Sequence, residues 1–116
     1  MKLTIKNHEI ELVYSIRTNI LYESILGKSL KFEELSQIDN LSYLFYANIL
    51  STLQANKVQI DVSWDDFIEY VDANGGIKLL GDYAMWLSEQ MNIQAGLYND
   101  EEKETTGKAK NSKKKS

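Results

Sequence analysis

The chain has 116 residues, of which 43% are hydrophobic and 26% charged, and it contains one histidine, no cysteine and no proline. This length predicts one small domain. The lack of cysteine excludes disulfides and thiolate metal sites, and with His8 as its one histidine the chain has too few nitrogen and sulfur ligands for a zinc site of ordinary composition. We therefore expect no catalytic residue, no metal and no cofactor, and a protein that is not an enzyme.

The formal charge of −4 is distributed unevenly along the chain. Residues 1–98 carry 7 basic and 13 acidic side chains, whereas residues 99–116 carry 6 and 4. An acidic body repels phosphate backbones, so nucleic acid is not expected as a ligand. No apolar run is long enough for a bilayer span or a secretion signal, which predicts a cytoplasmic protein without membrane contact. We expect one compact domain over residues 1–98 and a disordered charged tail over residues 99–116.

The N-terminal residues predict a β-hairpin. Leu3 and Ile5 alternate with polar residues, and the alternation resumes at Ile10 after a polar interval. A period of two is typical of half-buried strands. Asn7 tolerates the positive φ that a two-residue type I′ turn requires, so we place Asn7 and His8 in the turn. His8 is then expected at a solvent-facing loop tip.

Helices are predicted to follow the hairpin. A first helix over about residues 18–26 ends at Gly27, which supplies the left-handed residue that closes many helices. Residues 32–35 add one turn, and Asp39 or Asn40 can cap a longer central helix. Helical spacing in the first helix is kept by Ile16, Ile20, Leu21, Ser24 and Ile25.

Two further helices are predicted in the second half of the chain. Ser63 is suited to an N-cap, and Asp65 and Asp66 fall in the first turn, where the backbone dipole is positive. This helix ends at residues 74–76, which read Asn-Gly-Gly. A last helix over about residues 77–94 carries one apolar stripe, formed by Leu80, Tyr83, Ala84, Leu87 and Met91.

These elements predict an α+β fold that is mostly α. We expect a short N-terminal β-hairpin packed on a small bundle of four to five helices, followed by the disordered tail.

The central helix, expected to run to about Gln54, is apolar almost all round. One stripe contains Leu44 and Ile49, and a second contains Tyr43, Tyr46 and Leu50. Such a helix has to be covered on both sides. Either it is the buried centre of the bundle, or the second stripe is left for another chain. On the second alternative, Tyr43, Tyr46 and Leu50 are the candidate protein-binding residues.

Two motifs that suggest ligand sites are rejected. Residues 27–29 read Gly-Lys-Ser, but a phosphate-binding loop needs a glycine five positions earlier, where Tyr22 stands. Residues 61–72 place acids at several positions of a calcium loop, but Asp66 occupies the position that requires glycine.

The order of elements resembles a known family. Residues 9–17 read Glu-Ile-Glu-Leu-Val-Tyr-Ser-Ile-Arg, and Leu21-Tyr22-Glu23 and Gly27-Lys28-Ser29-Leu30 follow. This sequence is similar to the tail assembly chaperones of long-tailed bacteriophages and their prophage relatives, in which a short β-hairpin runs into a helix that ends with glycine before further helices. The likeness covers about residues 1–95, and its motifs are degenerate.

The resemblance implies a non-enzymatic role in tail morphogenesis. Such chaperones coat the long, apolar, helical tape measure protein until tail tube subunits polymerise around it. A homo-oligomer would be compatible with this role. In the family, ribosomal frameshifting often adds a segment that recruits tube protein, and Lys113, Lys114 and Lys115 are compatible with an adenine-rich slippery run in the gene.

A rival hypothesis from another class is also open. The acidic body and charged tail are compatible with a small regulatory or adaptor protein of a mobile element that binds a host protein. Neighbouring genes discriminate the two, because a chaperone gene is expected between the genes for the tube and tape measure proteins.

Overall fold

The computed structural model describes the backbone of residues 1–106 and the side chains of residues 1–93. A two-stranded antiparallel hairpin is followed by four α-helices and one short 3₁₀ helix, which confirms the predicted α+β class. The elements are β1 (Lys2–Ile5), β2 (His8–Glu11), α1 (Ile16–Leu26), the 3₁₀ helix (Phe32–Ser36), α2 (Ile38–Ala55), α3 (Trp64–Ala73) and α4 (Ile77–Thr106).

The hairpin turn lies one residue earlier than the sequence predicts. Ile5 pairs with His8, and the two residues between them, Lys6 and Asn7, both have positive φ, of 49° and 68°. This is the backbone of a type I′ turn. His8 therefore begins β2 instead of lying at a solvent-facing tip, and its side chain is partly buried. The inward alternation is as expected, because Leu3, Ile5, Ile10, Leu12 and Tyr14 are all buried.

Helix α1 begins two residues before the predicted start and ends where it was expected. Ser15 precedes the helix with extended backbone, and its N–H donates to Thr18 Oγ1 at 3.2 Å. Gly27 closes the helix with φ 71°, and its N–H donates to the carbonyl of Glu23 at 2.8 Å. Local capping thus fixes both ends of this helix.

Helix α2 buries its first apolar stripe in the core of the fold. Leu44, Phe45, Ile49 and Leu53 are fully buried. The helix starts at Ile38 and its N-cap is Gln37, two residues before Asp39, the earlier of the two expected caps. Buried Asn40 lies in its first turn, where Nδ2 donates to the carbonyl of Glu34 and to the side chain of Gln37.

Helix α3 forms as predicted. The N–H of Asp66 donates to Ser63 Oγ at 3.1 Å, and the N–H of Ser63 donates to Asp66 Oδ2 at 3.0 Å, which makes a reciprocal capping box. Phe67 and Val71 are buried on the expected face.

Helix α4 extends beyond its predicted end near residue 94 and includes the backbone of residues 95–106. The tail predicted for residues 99–116 therefore overlaps this helix, and residues 107–116 lie outside the described residues. Two compact units divide the chain, Met1–Trp86 and Leu87–Ser116. The division falls within α4. No helix in the described part of the chain has the length and apolar character needed to cross a bilayer.

Candidate protein-binding surface

The second stripe of α2 is half-buried and engaged within the chain. Tyr43 stacks on Trp64 of α3 with ring centroids 4.8 Å apart, and Tyr46 meets the same indole edge-on at 5.4 Å. The Tyr46 hydroxyl donates to the carbonyl of Val62 at 2.7 Å. Burial, with a smaller contribution from the negative charge of Asp66, raises the pKa of Tyr46. Helix α3 and the residues before it thus cover much of this stripe.

The three candidate contact residues therefore have limited exposure. Tyr43, Tyr46 and Leu50 are each intermediate between buried and exposed. The aromatic contacts made by the two tyrosines stabilise the chain's own packing. Contact between these residues and another chain stays a prediction.

The outward face of α1 is more open. Ile16 is 73% exposed and Ile20 61% exposed, and Val13, immediately before the helix, is 56% exposed. Residues four apart are neighbours on a helix surface, so Ile16 and Ile20 form one row that continues to the small, exposed side chain of Ser24. We call Val13, Ile16 and Ile20 the α1 surface.

The residues that keep helical spacing in α1 are not its buried face. Thr18 and Tyr22, which lie outside that set, are the buried residues of the helix. Thr18 Oγ1 lies 2.8 Å from Ser51 Oγ, and Arg17 donates to Gln54 Oε1 at 2.9 Å, so polar contacts hold α1 to α2. Because Thr18 faces α2, Ile16 and Ile20, which lie on roughly the opposite side of α1, face away from α2.

A weak signal for this orientation is present in the sequence. At 100° per residue, the predicted stripe from Ile16 to Ile25 spans about half of the helix circumference, too wide to define one inward direction. Thr18 and Tyr22 are four residues apart and lie on the opposite side of the helix, and this spacing is the weak signal for a second face. Sequence reasoning missed Thr18 because a threonine does not mark a core position by itself.

Two aspartates, Asp61 and Asp66, have structural partners. His8 Nε2 lies 2.8 Å from Asp61 Oδ1, a contact that lowers the pKa of Asp61. The pKa of Asp66 is lowered by hydrogen bonds from Ser63, with a smaller contribution from Lys6. Both carboxyl groups are therefore held in their ionised form. Within residues 1–93, no group of three or more histidine, aspartate or glutamate side chains is placed to hold a metal ion.

Comparisons with known proteins assign neither a family nor a function. No family model matches the chain, and no curated protein or solved structure has significant similarity to it.

Proposed function

We propose that this protein is a non-enzymatic tail assembly chaperone of a long-tailed bacteriophage or prophage. It binds the tape measure protein in the bacterial cytoplasm and keeps it soluble during tail morphogenesis. The observation that carries the proposal is the α1 surface, in which three branched apolar side chains are directed to solvent. The resemblance in the order of elements adds the choice of client.

The shape of the α1 surface suits a helical client. An amphipathic helix docks through side chains that recur every three or four residues, and Ile16 and Ile20 have this spacing. Such a helix would lay its own apolar stripe along the row, with Val13 at one end. A tape measure protein, as a long helical chain with an apolar stripe, aggregates unless that stripe is covered.

The area of the α1 surface predicts weak binding by each copy. Full burial of one valine or isoleucine contributes about 1.5–3 kcal/mol, whereas association costs about 4–15 kcal/mol in lost freedom. One contact of three side chains therefore gives low affinity. A long client offers repeated sites, and several copies bound side by side would cover it cooperatively or by avidity. Contacts between copies, and through them a homo-oligomer on the client, belong to this proposal.

A longer form of the protein is part of the same proposal. If the codons for residues 113–115 contain a slippery run, frameshifting there would append a segment that recruits tail tube protein. These residues lie outside the described part of the chain, so the nucleotide sequence of the gene tests this element. A gene without a slippery heptamer near those codons and without an overlapping downstream frame would remove this element.

Co-expression with tape measure fragments tests the function. We expect the wild-type protein to keep an otherwise insoluble fragment in the soluble fraction and to copurify with it. Unchanged precipitation of the fragment would contradict the proposed function. Solubilisation of unrelated aggregating helices to the same extent would contradict the choice of client.

A matched pair of variants tests the surface. Ile16 and Ile77 are both 73% exposed and each is the first residue of a helix, where an aspartate is well tolerated. We expect Ile16→Asp to abolish client solubilisation and Ile77→Asp to retain it, with both variants folded by circular dichroism. Equal activity of the two variants would show that the client contacts another surface.

A further inference from the structure

The α1 surface, formed by large apolar side chains, continues into small residues along the same side of the helix. Val13, Ile16 and Ile20 supply the exposed branched side chains. Ser24 and Gly27 follow on this side, because positions 16, 20, 24 and 27 fall within an arc of about 80° at 100° per residue. Both are exposed, and a Cβ atom placed on Gly27 would have no neighbour within 4 Å beyond the adjoining backbone. One half of this side of α1 therefore projects, and the other half offers open space.

This arrangement is complementary to itself when two copies meet antiparallel. Positions 16 and 24 are each four residues from Ile20, and positions 13 and 27 are each seven residues from it. A two-fold axis at Ile20 therefore places Ile16 of one copy over Ser24 of the second copy, and Val13 over Gly27. Each of these branched side chains enters open space. A parallel pair would instead set the branched side chains against each other and leave a gap between the small residues, which is poorer packing.

The charged residues beside the row are compatible with the antiparallel pair. Arg17 borders the row on one side and Glu23 on the other. Within the chain, Arg17 donates to Gln54 Oε1 at 2.9 Å, and Glu23 accepts from the N–H of Leu30 at 3.2 Å. Each lies three residues from Ile20, so like charges from the two copies are about 9 Å apart along the helices, close to the screening length at physiological salt.

We propose that, in the absence of client, two copies of this protein pair antiparallel through their α1 surfaces, with Ile20 at the two-fold axis. A second copy is the occupant because it carries open space at the spacing that the branched side chains require. Burying three such side chains on each copy removes roughly 400–700 Å² of apolar surface from water. Stable interfaces bury about 1,200–2,000 Å². The area therefore predicts a weak dimer that exchanges readily.

The dimer has a consequence for the client, and this consequence alone rests on the proposed function. The same side chains, Ile16 and Ile20, would contact the tape measure protein. Self-pairing and client binding therefore exclude each other. A weak dimer covers the apolar row while the chaperone is free, and a long client with repeated sites displaces it by avidity.

Site-specific cross-linking of the full chain tests the register. The chain contains no cysteine, so single cysteine substitutions report contacts between copies without background. We expect an equimolar mixture of Ile16→Cys and Ser24→Cys to form disulfide-linked dimers roughly tenfold faster than either variant alone, because only the mixture places two thiols in contact. Ile77→Cys, at an equally exposed position on α4, is the matched control and should cross-link only slowly. Mixed and unmixed variants that react equally, or no faster than Ile77→Cys, would overturn the proposal.

Analytical ultracentrifugation provides a measurement without cysteine. We expect the average mass of the wild type to rise with concentration towards that of a dimer, Ile77→Asp to behave in the same way, and Ile16→Asp to remain monomeric. A wild-type protein that is monomeric at all concentrations would overturn the pairing. Neither measurement uses a client, so this result would leave the proposed function standing. Cross-linking between positions 16 and 24 that is undiminished by a bound tape measure fragment would contradict mutual exclusion.

Discussion

The buried pair formed by Tyr83 and Asn48 allows a sharp prediction. Tyr83 is fully buried, stacks on Phe45 with ring centroids 4.2 Å apart, and accepts a hydrogen bond from Asn48 Nδ2 at 3.0 Å. Asn48 Oδ1 is buried and has no hydrogen-bond partner among the described residues. Burial raises the pKa of Tyr83, so its hydroxyl is neutral at any working pH.

Replacing Tyr83 with phenylalanine keeps the stacked ring and removes the hydroxyl. The side-chain amide of Asn48 is then buried without a partner at either end. A buried polar group left in this way costs about 1–3 kcal/mol. We expect the free energy of unfolding to fall by about 2 kcal/mol, equivalent to a decrease of roughly 8 °C in Tm.

Urea denaturation and calorimetry of the wild type and two variants measure this effect. Adding Asn48→Leu to Tyr83→Phe removes the remaining polar group, so we expect stability to return to within about 1 kcal/mol of wild type. A Tyr83→Phe variant as stable as the wild type would refute the reasoning. So would a double variant that is less stable than Tyr83→Phe alone.

The other predictions concern the ends of helices, the second stripe of α2 and the stability of the fold at acidic pH. Gly27→Ala places a side chain at φ 71° and is expected to lower the free energy of unfolding by about 1 kcal/mol, measured with urea. Ser63→Ala removes the acceptor of the α3 cap, with an expected cost of about 1 kcal/mol, and amide exchange should increase first in that helix. Tyr46→Asp places a charge among aromatic rings, and we expect the free energy of unfolding in urea to fall by about 3 kcal/mol. A variant of wild-type stability would contradict this role of Tyr46 in the chain's own packing and would favour the interface hypothesis. The pKa values of Asp61 and Asp66 are lower in the folded chain than in the unfolded chain, so their ionisation stabilises the fold above pH 4. We expect the free energy of unfolding to decline as the pH falls through the folded-state pKa values. The double variant with asparagine at both positions should show a weaker decline.

Elements fixed by local hydrogen bonds could be predicted from the sequence. The α3 start followed from Ser63 and the acids after it, and the α1 end followed from Gly27, because capping depends on residues a few positions apart. The hairpin could be predicted from alternation. Its turn was misplaced by one residue because both placements keep Leu3 and Ile10 on the same face, and the contact of His8 with Asp61 cannot be read from local sequence.

Which face of each helix is buried was harder to predict. On α1, the contact between Thr18 and Ser51 decides which side packs on α2, and a pair of small polar residues gives no hydrophobic signal. On α2, both stripes are apolar, so only the position of Trp64 shows that Tyr43 and Tyr46 are partly covered. The more exposed candidate surface is therefore on α1, while contact through Tyr43, Tyr46 and Leu50 stays a prediction.

The cluster around Trp64 gives the protein a built-in optical signal. The indole lies within 5.5 Å, centroid to centroid, of the rings of Tyr43, Tyr46 and Phe67, all on α2 or α3. Aromatic rings held in a fixed asymmetric arrangement give a near-ultraviolet circular dichroism signal that is lost when packing loosens. Detachment of α3 would thus be visible spectroscopically without any label, even while the far-ultraviolet spectrum still reports intact helices.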